Sequence, residues 1–186
     1  MNYLPAVMTV TLSLAAVSMG FCVREARAET AQELEQDART KLGRLTSAVP
    51  AARDLSKRAR AILVFPSVVK AGLMIGGQYG EGVLFKSGKA AGFYSTAGAS
   101  YGLQAGAQKF GFALFFMNDG ALQYLSKSDG LEIGAGPSVV VMDDGMAKHT
   151  STSTLSQDIY AFVFGQSGLM AGIGLQGNKI TKIDKK

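Results

Sequence analysis

Residues 61–85 read AILVFPSVVKAGLMIGGQYGEGVLF, and within this stretch the repeat of the chain changes. Up to Ile62 apolar residues recur every three or four positions, as on one face of a helix. Beyond it they come as short runs, AILVF, LMIGG and GVLF, which is the pattern of strands. GFYSTA, YGLQAGAQ, FGFALFF, PSVVVM, IYAFVF, LMAGIGL and KITKI continue the series. Pro66, Lys86-Ser87-Gly88, Asn118-Asp119-Gly120, Ser128-Asp129-Gly130 and Asp143-Asp144-Gly145 separate the runs as turn signals. Such spacing favours an antiparallel sheet, sandwich or partial barrel over alternating strand–helix units. One interruption is ambiguous: Asp119 is placed to cap a short helix through Ala121, Leu122 and Leu125, yet DG followed by LQYL could also begin a strand.

Upstream of the change, Thr30-Ala31-Gln32-Glu33 fits a capping box, in which a threonine hydroxyl and a glutamate satisfy each other's backbone N–H groups. Leu34, Ala38, Leu42 and Leu45 then repeat at helical spacing to about Ala48. Pro50 stops that helix and suits the first turn of a second, whose stripe is Ala51, Leu55, Ala59 and Ile62. The expected fold class is therefore α+β: N-terminal helices packed on a large glycine-rich antiparallel sheet that curls into a sandwich or partial barrel. The expected organisation is a signal peptide over residues 1–28, a helical part over 29–60 and a β-rich body over 61–186, the last two forming one domain.

Composition agrees with a packed domain. Of 186 residues, 47% are hydrophobic and 18% charged, outside the range of disordered chains. The 23 glycines outnumber the four prolines and sit among Val, Leu, Ile, Phe and Met, as in bulged or closely packed strands. From Leu4 to Val23 the chain is apolar, and Ala26-Arg27-Ala28 offers a small-x-small cleavage site, although a basic n-region is missing. The expectation is an exported protein, periplasmic or associated with the outer membrane. The single cysteine, Cys22, lies inside this segment; it could carry a lipid anchor, though Phe21 stands where a small residue is expected. Cleavage after Ala28 would leave no thiol for disulfides or catalysis.

Three chemical patterns are present and each lacks its context. Gly172, Gly174 and Gly177 spell the dinucleotide fingerprint, but Asn178–Ile183 alternates as a strand where the fingerprint needs a helix. Gly98-Ala99-Ser100-Tyr101-Gly102 has the spacing of a nucleophile elbow, and Asp143 or Asp144 and His149 follow in hydrolase order. An elbow requires a strand-to-helix turn, whereas SYGLQAGAQ continues as strand. For metals, one histidine and scattered acids give no ligand cluster, and Asp143-Asp144-Gly145 reads as a hairpin turn. The expectation is a non-enzymatic protein without cofactor or metal.

The basic residues carry the remaining signal. The net charge is +5, and every arginine (Arg24, Arg27, Arg39, Arg44, Arg53, Arg58, Arg60) precedes residue 61. Arg53, Lys57, Arg58 and Arg60, answered only by Asp54, suit phosphates of an anionic membrane, with Leu55 and neighbouring apolar groups dipping into the interface. The plainer alternative is a solvated face whose alanines and leucines pack on the sheet. Nucleic acid is not expected, because the basic residues do not interleave with aromatics in a stacking motif.

From Ala61 onward the chain resembles the SYLF domain family, known also as an actin-binding domain in fungal proteins with SH3 modules. The matching stretches are AILVFPSVVKAGLMIGGQYGEGVLF, FFMNDGALQYL, LEIGAGPSVVV and FGQSGLMAGIGLQGNKI. The resemblance implies binding of anionic phospholipid, phosphoinositides included, through a basic amphipathic N-terminal portion. It carries that role onto Arg53, Lys57, Arg58, Arg60 and Lys70. The glycines of the final stretch then belong to the closing segment of the domain. Gly92-Phe93-Tyr94-Ser95-Thr96 stands where many eukaryotic members have a Trp-Ser-x-Pro-like segment. For an exported bacterial-type member the actin role is not expected to carry over. The alternative is an interaction protein that holds an envelope protein through sheet edges or through Phe93, Tyr94 and Phe116.

Overall fold

The computed structural model describes residues 29–127, 130–142, 156–168 and 175–185, without the side chains of residues 73–74, 100–105 and 168. The expected signal segment with Cys22, Ser128 and Asp129, Asp143 through Gly145, His149, and most of LMAGIGL lie outside the described residues.

Helix α1 spans Ala31–Ala48 and α2 spans Pro50–Arg58. The capping box forms as expected: Glu33 N–H donates to the Thr30 hydroxyl at 3.2 Å, and Thr30 N–H donates to the Glu33 carboxylate at 2.8 Å. Pro50 occupies the first turn of α2, where its missing N–H breaks no hydrogen bond.

The strand-like runs merge into longer elements than their turn signals suggest. β1 runs from Ala61 to Lys86 and β2 from Lys89 to Phe116, paired antiparallel along their whole length. Pro66, expected to end a strand, instead sits inside β1, at a register shift between Phe65 and Val68. A bulge of this kind needs no ladder hydrogen bond from the proline nitrogen. Ser87-Gly88 does turn the chain as expected, with φ of 48° and 75° and Lys86 paired to Lys89, the left-handed geometry of a tight hairpin.

This long hairpin is folded in half. A register shift between Leu73 and Ile75 marks the bend, and beyond it β1 crosses its own first half. A Cβ added at Gly82 would meet the carbonyl of Val64 and the ring of Phe65, and one at Gly80 would meet Ser67 and Val68, so glycine is what lets the two passes touch. The C-terminal half of β2 pairs with β5 (Ile159–Gly168), which pairs with β4 (Val139–Met142). Its N-terminal half pairs with β6 (Lys179–Ile183), which pairs with β3 (Leu131–Glu132). The result is α+β, with one large sheet curled into a half-barrel. Its order is β3-β6-β2-β5-β4 with β1 on the other edge of β2, and the β4–β5 pair is parallel, so the sheet is mixed.

Both faces of the sheet are covered, which is why FGFALFF is a continuous run instead of an alternating one. Phe110, Phe112, Leu114 and Phe116 point into the half-barrel with Leu63, Phe65, Val68 and Ile180. Ala113 and Phe115 point outward beneath the helices, against Leu34, Ala38, Leu55, Phe85 and Phe162. Between β2 and β3, Asp119–Gln123 forms a short helix, α3, so helix prevails over strand there. Its cap is Asn118, not Asp119: the Asn118 side-chain oxygen accepts from Ala121 N–H at 2.8 Å.

Candidate functional site

The helices and the β1–β2 turn meet at one end of the half-barrel. There α1, the end of α2 and the turn enclose an open groove of about 590 Å³, within the range of ligand sites. Leu42, Ala59, Ile62 and Phe85 give it an apolar lining, and Arg39, Lys57 and Arg60 line it with positive charge. Among the described residues, no carboxylate lines it.

The three cations are held differently. Arg39 is fixed: its guanidinium donates to the Glu35 carboxylate at 2.7 and 2.9 Å and to the Gly88 carbonyl at 2.9 Å. It also lies 4.8 Å from the centre of the Phe85 ring, a cation–π contact. Lys57 and Arg60 are loosely held, Lys57 at 3.4 Å from Asp54 and Arg60 at 3.9 Å from Asp119. Their side chains are 68% and 63% exposed, and ion pairs of this kind contribute little and exchange readily. A phosphate entering the groove can therefore take over both cations.

The residues singled out from the sequence separate into distinct roles. Lys57 and Arg60 line the groove; Arg58 is exposed but does not line it. Arg53 is exposed and closes the end of α1, donating to the carbonyls of Thr46 at 2.9 Å and Ser47 at 2.7 Å. Two expectations are corrected. Leu55 is fully buried beneath α2, packed with the helix and sheet residues of the outer core, so it cannot dip into a bilayer in this fold. Lys70 is only 7% exposed on β1 and faces into the half-barrel, apart from the basic cluster on α2. Arg39, which was not singled out, joins the groove because the fold brings Phe85 and the turn against α1; only its i, i+4 spacing from Glu35 was visible in the sequence.

Two of the other patterns meet strand where their chemistry needs a helix. Gly98 to Gly102 lies within the uninterrupted strand β2, so Ser100 is on no strand-to-helix elbow. Gly177, at φ 75°, leads into β6 and not into a helix. Among the described residues no group of three or more His, Cys, Asp or Glu could hold a metal, and no helix is long and apolar enough to cross a membrane. Tyr94 and Phe116 are buried and Phe93 is partly buried, so these aromatics do not form an exposed recognition surface.

Residues 97–186 match the family model described as Ysc84, Las17-binding protein actin regulator. Over these residues the chain is similar to the Ysc84, or SYLF, family. SYLF domains are binding domains. No curated protein compared with the chain matches it. The match begins inside β2, whereas every groove residue precedes residue 97, so the groove stands on its own geometry beside the family match.

Proposed function

We propose that this SYLF-like domain binds anionic phospholipid without catalysing a reaction, and that the groove between α1, α2 and the β1–β2 turn receives the headgroup. The observation that carries this reading is the groove's lining: Arg39, Lys57 and Arg60 beside Leu42, Ile62 and Phe85, with no carboxylate among them. Phosphate at the cations and the start of an acyl chain on the apolar lining would use both. Arg58 and Arg53, exposed nearby on α2, add long-range attraction to a negative surface. Association of the SYLF family with lipid binding supports the same role.

The membrane would be one of the cell envelope, reached by export. That part rests on the apolar run Leu4 to Val23 and on Ala26-Arg27-Ala28. Intact mass of the protein taken from its native membrane tests it: a chain beginning at Glu29 is the expected result, and a lipidated Cys22 would replace cleavage with anchoring.

Vesicle pelleting of the full chain tests the lipid reading. Vesicles of phosphatidylcholine with phosphatidylglycerol should carry the protein down and vesicles of phosphatidylcholine alone should not. Equal pelleting with both would overturn it. A protein partner is the second reading, favoured by the family's description and by a strip of exposed apolar residues on β1, Val69, Ile75 and Tyr79.

A further inference from the structure

The end of the half-barrel opposite the groove has a polar interior. Lys70 and Gln108 are cross-strand partners on β1 and β2. On the facing wall Gln78 pairs with Gly98, and Thr96 lies two residues before Gly98 on β2, on the same side. Asn178 reaches this wall as well: its side-chain oxygen accepts from Gln78 Nε2, and a Cβ added at Gly98 would collide with the Asn178 side chain. The two walls are brought together by the fold. Gly80 touches Val68, and Gly72 touches Gly76, so Lys70 and Gln78 fall between these two contacts on opposite passes of β1. All five polar residues are more than nine-tenths buried, from 0% exposed at Thr96 to 7% at Lys70.

The layer is unbalanced in charge and in hydrogen bonding. No carboxylate among the described residues pairs with Lys70. Thr96 Oγ1, Gln108 Oε1 and Asn178 Nδ2 are buried without a hydrogen-bond partner among the described residues. Lys70 thus brings a positive charge with no counter-charge beside it, and an unpaired buried amide or hydroxyl is disfavoured. Water could serve the amides but brings no charge. A carboxylate or sulfate brings charge but only acceptor atoms, so it offers no donor of its own to the Gln108 oxygen. A protonated phosphate brings all three: negative charge for Lys70, acceptor oxygens for Asn178 Nδ2, and a P–OH donor for Gln108 Oε1, with the Thr96 hydroxyl able to serve either way.

We propose that this polar layer is a binding site for phosphate, free or as a monoester, with Lys70 supplying the charge and Gln108, Thr96 and Asn178 the hydrogen bonds. It is separate from the groove and does not depend on the groove reading.

Thermal unfolding of the full chain tests the site. The midpoint should rise progressively with inorganic phosphate, as for any ligand that binds the folded state alone, and should rise less with sulfate at equal ionic strength. The rise should vanish in Lys70→Met and in Gln108→Leu, and persist in the groove variant Lys57→Gln/Arg60→Gln. A rise that survives Lys70→Met and Gln108→Leu, or equal rises with phosphate and sulfate, would overturn the proposal. If Lys70→Met does not fold, Gln108→Leu and broadening of the phosphate ³¹P resonance by the unaltered protein decide in its place. A second arm separates the sources. Groove-variant protein that prefers vesicles containing phosphatidic acid, a monoester, over phosphatidylglycerol, a diester, identifies a lipid headgroup. Indifference between them, with the midpoint rise intact, identifies free phosphate.

Discussion

Asp158 shows how one side chain can tie three elements together. Its carboxylate accepts from Asn118 Nδ2 at 2.7 Å and from the Ser138 N–H and hydroxyl at 3.1 and 3.0 Å, joining the α3 cap to the residues leading into β4 and β5. The hydrogen bonds from Asn118 and Ser138 hold its pKa below the ordinary aspartate value of 3.8. A carboxyl whose folded pKa is lowered stabilises the fold at pH above its unfolded value, and that contribution is lost as pH falls through the folded value. Asp158→Asn should therefore be less stable than the natural protein near neutrality, with the gap closing below about pH 4. Denaturant melts across that pH range check it, and a constant gap would show that ionisation is irrelevant there. Leu55 argues from packing instead. Fully buried under α2, it should lose about 2–5 kcal/mol on change to alanine in the same melts, the cost of a cavity in a packed core. From the sequence its helical stripe was evident, but whether that stripe met a sheet or a bilayer was not. Periodicity fixes which face is apolar and says nothing of what covers it.

At the scale of elements, local signals were readable and long-range ones were not. The capping box, Pro50, the Lys86-Ser87-Gly88 turn and the KITKI strand all stand where their residues imply. Pro66 does not end its strand, and the runs around it fuse, because a bulge and a self-crossing strand are settled by distant partners. The groove was half legible for the same reason: Lys57 and Arg60 belong to the basic cluster, while Arg39 and Phe85 join it only through tertiary contact. The turn itself yields a prediction. Ser87 adopts φ 48°, a conformation that asparagine tolerates better, and Asn-Gly is the preferred pair for this type of hairpin. Ser87→Asn should raise stability by a few tenths of a kcal/mol to about 1 kcal/mol, and Gly88→Val, forced to φ 75°, should lower it by about 1–2 kcal/mol. Thermal midpoints moving in the same direction for both would contradict the assigned turn.

Across the whole molecule, charge and shape divide between two ends. The groove end gathers α1, α2 and the turn with their exposed cations; the bent end turns Lys70 inward and leaves Ile75 and Tyr79 exposed. A net charge of +5 alone would attract the chain weakly to any anionic surface, so a test of the groove must hold that charge constant. Two double variants do so. Lys57→Gln/Arg60→Gln removes two positive charges from the groove, and Lys41→Gln/Arg44→Gln removes two from α1 positions that do not line it. Each basic group near an anionic bilayer contributes about 1 kcal/mol, so the groove variant should bind phosphatidylglycerol vesicles roughly 30-fold more weakly. The α1 variant should lose only a few-fold, through the smaller long-range field. Raising salt from about 0.1 M to about 1 M shortens the screening length from about 10 Å to about 3 Å, which should release both proteins and erase the difference between them. Equal losses in the two variants at low salt would mean that the membrane senses total charge and that the groove has no part in binding.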